Sequence, residues 1–324
     1  MGSSLVVLLD TSATLPRFTT GRLLTSWELA PLPFVVTVWA AGLYLLGVAR
    51  LRRRGDRWPL GRTLSFVVVG MGSFTVATAS GLGAYDTTLL SVHMVQHMVL
   101  SMLVPLALAL GAPVTLALRT LPPVPRRWLL AVLHSRAARV LSFPPLTFLL
   151  YVVSPWALYF SGWYDASLHS AYVHELMHVH LVLVGCLFFW PLMGIDPVPG
   201  RVGYPARMMI VALTLPFHAF LGVTIMGQTE LIGHDWYPDL HDGPMGAWLP
   251  DPHDDQHLAG GLLWGSGDLI GLAFFAVLFV QWVRSSMKEA EREDRRLDLL
   301  EARAARSARS ARSATTPDQP QPDR

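Results

Sequence analysis

Two short strings carry most of the chemistry in this chain: His93-Met94-Val95-Gln96-His97-Met98 and His174-Glu175-Leu176-Met177-His178-Val179-His180. In each, a histidine pair is spaced by four, so on a helix each pair shares one face. Met94 and Met98 run as a stripe beside the first pair and Met177 beside the second, while His180 points elsewhere. Imidazole together with thioether is a ligand set that favours copper, and thioether in particular suits Cu(I). If the two helices are neighbours, His93, His97, His174 and His178 can converge on one ion. The plainer readings stay beside this one. Methionine also fills membrane cores, and a histidine near a helix end can simply bond water or headgroups. Histidines on different helices are also what haem iron takes. The second string is not read as the HExxH of zinc proteases: Glu175 follows His174, but His178 is taken to come one turn too late for that pattern, and nothing else in the chain supports proteolysis.

Other chemistry-bearing residues lie further along. His218, in Leu215-Pro216-Phe217-His218, falls in the middle of an apolar stretch, where an ionisable group marks either a functional site or a neutral imidazole bonded to a backbone carbonyl. Residues 227–257 form a long acidic connection with His234, His241, His253 and His257. This connection either collects cations, docks a basic partner or is a solvated loop. It ends in Asp255-Gln256-His257, after which Gly260 and Gly261 permit close helix approach. Asp255 and His257 are candidates for the entrance to a metal site. His257, Gly261, Trp264 and Asp268 fall near one helical face.

The elements that must position these residues are membrane helices. The chain of 324 residues is 52% hydrophobic and 15% charged, against roughly 25% charged in a soluble domain. Its apolar residues come in long blocks, and a span needs roughly 20 of them. Seven spans are expected, at 32–49, 64–84, 91–111, 143–160, 171–193, 208–226 and 258–282. The third continues as helix toward Leu118, with a kink at Pro105 and Pro113. A single cysteine, Cys186, excludes a disulfide framework and a CxxC metal site within one chain. Residues 5–9 are too few for a signal-peptide core, so no cleavable leader is expected.

Charge orients the spans. All but Arg17 and Arg22 of the 25 Lys and Arg residues fall on one side of a seven-span arrangement, in the first, third and fifth connections and the tail. That side is expected to be cytoplasmic, with the N-terminus and all histidines but His134 outside or within the membrane. Segregated arginines of this kind argue against nucleic-acid binding. The organisation expected is an extracytoplasmic arm (1–27), a seven-helix membrane domain (28–283) and a cytoplasmic Arg-rich tail (284–324). From about Ala302 the Ala-Arg-Ser repeats and then Pro/Gln cannot bury a core, and the tail is read as solvated, touching anionic lipid headgroups.

At several of these residues the chain resembles the multi-spanning CtaG family of bacterial cytochrome c oxidase assembly factors. The matching segments are Ser91 to Leu100, Leu110-Gly-Ala-Pro113 with Arg119-Thr-Leu-Pro122, Phe189-Trp-Pro191 with Asp196-Pro197, His218 to Gly222, and Asp255-Gln256 through Trp264. They run in order across roughly residues 28–283. The resemblance implies a multi-pass protein of the bacterial cell membrane that helps to make an active haem-copper oxidase. Its implied partners are oxidase subunits and, if copper is handled, a copper donor protein. The expected architecture is therefore all-α, a polytopic membrane helix bundle. Its function is expected to be non-enzymatic, with copper held or passed by ligand exchange through His93, His97, His174, His178, Met94, Met98 and Met177. His218, Asp255 and His257 are the further candidates. A haem-binding electron carrier and a metal or proton transporter are the alternatives.

Overall fold

In a computed structural model, residues 15–28 and 30–315 are described, and every regular element among them is helical. Six stretches are long and apolar enough to cross a membrane: α1 (Pro31–Arg53), α2 (Leu60–Tyr85), α3 (Leu90–Thr120), α5 (Ala171–Met193), α6 (Tyr204–Gly227) and α7 (Pro252–Thr315). Between α3 and α5 lies α4 (Pro144–Phe160), which breaks and restarts as Trp163–His169 at a bend of 61°, giving seven spans if the pair counts as one. The break follows the residues: Ser161 is extended, Gly162 follows, and the Ser161 hydroxyl accepts the Trp163 amide at 3.2 Å to start the next turn.

The helices face apolar surroundings on their outer sides. On α1, Tyr44, Val48 and Leu51 are buried at spacings of three and four, while Trp39, Leu43 and Leu46 on the other faces are more than half exposed. In water such a surface would aggregate; in a bilayer it is the lipid-facing side. The chain is a multi-pass membrane protein.

α3 is not one regular rod. Wide turns at Val99–Leu103 interrupt it, and Ala112 leaves the helical backbone for the left-handed region at φ 51° immediately before Pro113, whose ring disfavours ordinary helical backbone in the preceding residue. Helix then resumes over Pro113–Thr120, slightly past the Leu118 limit expected from the sequence.

Two small-residue contacts set how closely helices approach. On α5, a side chain at Gly185 would sit 2.2 Å from the Ser101 carbonyl of α3. Gly222 on α6 and Gly260 on α7 lie backbone to backbone, each 2.6 Å from the other's carbonyl oxygen were a Cβ added. Gly260 thus does what its type predicts, whereas Gly261 has open space around it.

The bundle has two chemically distinct ends. At one, which we call the arginine end, Arg54 donates to the Arg119 carbonyl, Arg119 pairs with Asp56 at 3.5 Å, and Arg207 donates to the Leu192 carbonyl. At the other, the histidine end, Trp236 donates to the Thr87 carbonyl, Tyr164 meets Tyr237 hydroxyl to hydroxyl at 2.6 Å, and Gln256 accepts the Ile232 amide. The described residues through Phe275 form one compact unit. From Ala276 the last helix continues to Thr315, with its charged residues over 284–306 exposed and carrying the pairs Arg295–Glu291 and Arg296–Glu293 at 3.5 Å.

Candidate metal centre

α2 ends at Tyr85, whose hydroxyl donates to the Pro16 carbonyl. The next residue, Asp86, turns into the bundle and is 3% exposed. α5 begins after an extended Ser170, which places His174 and His178 in its first two turns. Their i,i+4 spacing aims both rings at the same point. His174 Nε2 donates to Asp86 Oδ2 at 2.9 Å, and His178 Nε2 lies 3.7 Å from the same oxygen. One ligand atom from each of the three residues falls within 4.8 Å of the others. Among the described residues this is the one group of three or more His, Cys, Asp or Glu side chains so arranged.

Gln96 on α3 braces the group. Its amide nitrogen donates to Asp86 Oδ2 at 2.8 Å and to the Ala77 carbonyl, and its amide oxygen accepts from His178 Nε2 at 3.2 Å. His93, one turn earlier on α3, is fully buried with neither ring nitrogen hydrogen-bonded. Its ring centroid is 6.4 Å from that of His174 and 4.8 Å from that of Tyr164. Beside the three-residue group opens a cavity of about 280 Å³, lined by Glu28, Asp86, His174, Glu175, His178 and Trp236 among others.

Burial alone would push the Asp86 carboxyl up; the His174 and His178 imidazoles beside it outweigh that and hold it below the usual carboxylate range. Two imidazole nitrogens and a carboxylate oxygen form a donor set for a borderline divalent ion, Zn(II) or Cu(II). An ion there would take the place of the protons now shared between the rings and the carboxylate.

The remaining candidates lie apart from this group or around it. His97 does not reach Asp86: its Nδ1 pairs with the Tyr159 hydroxyl at 2.6 Å. Met94, Met98 and Met177 are buried in the helix packing, and the Met98 methyl and the His218 ring both close on Gly267. His218, in mid-α6, donates through Nδ1 to the Thr214 carbonyl at 3.2 Å, with its ring 5.6 Å from that of Tyr151. Asp255 is buried and caps α3, accepting the Ser91 amide at 3.2 Å and the Ser91 hydroxyl at 2.5 Å. His257 is exposed and donates to the Met226 carbonyl at 3.4 Å. Asp268 accepts the Trp264 indole at 2.8 Å.

Four residues of this region escape the sequence. Asp86 is a lone acid in a four-residue loop, 88 positions from His174. Gln96 and Tyr159 are neutral residues inside apolar spans. Glu175 is different, because its signal was there to be read. Contrary to the expectation above, His174-Glu175-Leu176-Met177-His178 is itself the HExxH spacing of zinc hydrolases.

A sequence model of the Caa3_CtaG family, described as the cytochrome c oxidase caa3 assembly factor, matches residues 42–285. Uncharacterized proteins of Mycobacterium bovis and Mycobacterium tuberculosis are each 39% identical over 287 residues, covering 86% of this chain and 43% of theirs. An uncharacterized protein of Mycobacterium leprae is 36% identical over 313 residues, covering 88% of this chain and 47% of its own. The chain therefore spans less than half the length of these relatives. No solved structure matches at a significant level.

Proposed function

The chain belongs to the cytochrome c oxidase caa3 assembly factor family, and on that premise we propose that it helps to mature a haem-copper oxidase from the outer face of the bacterial membrane. In this reading the histidine end faces outward, because the Arg-rich connections favour the cytoplasm. Copper is cargo, held at Asp86, His174 and His178 and passed by ligand exchange to an oxidase subunit. The family is described by an assembly role rather than by a catalysed reaction, which agrees with transfer of this kind.

The observation that carries the reading is the convergence of three ligand atoms within 4.8 Å at the buried edge of an open cavity. His93 stands next to it with two unbonded nitrogens, a ready fourth donor when the ion moves inward. Met94, Met98 and Met177 lie in the same two helices and offer softer donors to Cu(I). His97 and His218 stand further along the same interior, and Asp255 and His257 flank the α3 and α7 starts.

The test is oxidase activity and oxidase copper content in a deletion strain grown at low copper. Oxidase genes should remain expressed while activity falls, and the wild-type gene should restore it where His178→Ala does not. Full activity in the deletion strain contradicts the role. Reporter fusions at Arg57, Asp242 and Arg303 should read inside, outside and inside; an inside signal at Asp242 contradicts the orientation.

A further inference from the structure

We propose that the two grooves that meet at Arg139, at the arginine end of the bundle, hold the headgroup of an anionic phospholipid. Its phosphate sits against the guanidinium groups of Arg136, Arg139 and Arg201, and its chains follow the apolar wall beside them. The site is separate from the histidine end, and no ion there enters into it.

Between α3 and α4 the chain runs through two short helices, Pro123–Leu133 and Arg136–Leu141. In the first, Val124, Trp128 and Val132 recur every four residues and so share one face, and each is more than 60% exposed. Arg126 and Arg127 are exposed off that face, and no residue of this helix is buried. An exposed apolar face with arginines beside it suits a helix lying in the membrane interface. The second helix follows directly, its start capped by the Ser135 hydroxyl, which accepts the Ala138 amide at 3.0 Å. It therefore lies at headgroup depth. Arg136 and Arg139 are three apart on it, neighbours of like charge that repel each other. Arg119, Arg295 and Arg296 each pair with an acidic side chain at 3.5 Å. Arg136, Arg139 and Arg201 pair with none among the described residues.

One groove, of about 400 Å³, is lined by Arg136, Arg139, Val140 and Phe143. The other, of about 510 Å³, shares Arg139 and adds His134 and Arg201 with the apolar Pro197, Val198 and Pro199. No Asp or Glu lines either one. The connection that brings Arg201 here is pinned at both ends. Asp196 is buried and accepts the Val114 and Thr115 amides, and Arg201 donates to the Asp196 carbonyl. Gly200, at φ 82°, packs so closely on the end of the second helix that a Cβ there would lie 1.8 Å from the Ser142 carbonyl oxygen. Guanidinium groups match phosphate oxygens in a two-toothed fork. A free phosphate would leave the wall unused, since Val140 and Phe143 are 59% and 56% exposed beside the arginines. A phospholipid uses both, and basic pockets at headgroup depth take lipid heads of this kind.

The experiment uses the purified full chain in nonionic detergent, titrated with dioleoyl phosphatidylglycerol or dioleoyl phosphatidylcholine. Native mass spectrometry reads the fraction of chain that carries lipid. Wild type should hold phosphatidylglycerol about 10-fold or more tightly than phosphatidylcholine. The double variant Arg136→Ala, Arg139→Ala should lose that preference. The double variant Arg126→Ala, Arg127→Ala removes the same charge from the neighbouring helix and should keep it. Arg201→Ala, from the other connection, should weaken phosphatidylglycerol about threefold or more. No preference in wild type overturns the proposal. So does an equal loss in the two double variants, which would mean diffuse attraction to any exposed arginine, and so does wild-type affinity in Arg201→Ala. Inorganic phosphate that displaces the lipid at equal concentration would also overturn it, assigning the arginines to a free anion.

Discussion

Two aspartates are buried at opposite ends of α5, and they show how the same side chain serves two purposes. Asp86, at the histidine end, is 3% exposed and faces two imidazoles and an amide. Asp196, at the arginine end, is 0% exposed. It accepts the Val114 amide at 3.1 Å, the Thr115 amide at 2.7 Å, the Thr115 hydroxyl at 2.6 Å and the Trp190 indole at 3.0 Å. The donors around Asp196 cannot give up their hydrogens and become ligands. They hold the carboxylate as the cap of the Pro113–Thr120 helix, where the orphan amides and the helix dipole welcome negative charge. The imidazoles around Asp86 can lose a proton and present a lone pair. Burial and charge are alike at the two ends; the partners decide which end is structural and which can carry an ion.

Replacing Asp196 should therefore be the most damaging change to the fold. Asp196→Ala strands two half-buried amides, a hydroxyl and an indole, at a cost of about 2–4 kcal/mol. Thermal unfolding in detergent should show it, with metal content per folded protein unchanged. A large loss of metal in that variant would erase the distinction between the two ends.

Next in size is the helix that joins them. Gly185→Ala forces a methyl to 2.2 Å from the Ser101 carbonyl, so α5 must shift off α3 at a cost of about 1–3 kcal/mol. Because α5 carries His174 and His178 at one end and Trp190 near the other, stability and metal content should fall together. Metal binding retained at full strength would mean that the histidine end tolerates the displacement of α5.

Smaller still is Asp255→Ala, which removes the cap of α3 and should cost about 1 kcal/mol. Oxidase maturation should weaken while membrane insertion remains normal, because Ser91, which Asp255 caps, begins the helix that carries His93 and Gln96. Maturation at the wild-type level would separate the α3 cap from the site.

The same contrast explains what could be read before the structure. Apolar blocks of span length announce themselves, because a bilayer demands about 20 such residues in a row, and the histidine pairs follow from a four-residue period on one helix. The 61° bend after Phe160 does not, because Ser161-Gly162 is a local signal short enough to disappear inside an apolar stretch. What Asp86 and Asp196 meet in the fold is invisible for a related reason. His174 lies 88 positions from Asp86 and Thr115 lies 81 from Asp196, and sequence periodicity carries no information on which loop meets which helix. Glu175 marks the opposite case. Its HExxH spacing is local and plain, and stands in the string itself.

Ion binding at the Asp86 end, and not at the Asp196 end, is the central proposal. The direct test is elemental analysis of copper and zinc per folded protein, after loading with each ion, for wild type, Asp86→Asn and Asp196→Asn. The account predicts about one ion per chain in wild type and in whatever Asp196→Asn remains folded, with affinity lower by more than ~100-fold in Asp86→Asn, beyond what loss of an outer-sphere partner costs. Undiminished metal in Asp86→Asn, or loss of metal from folded Asp196→Asn alone, would contradict it.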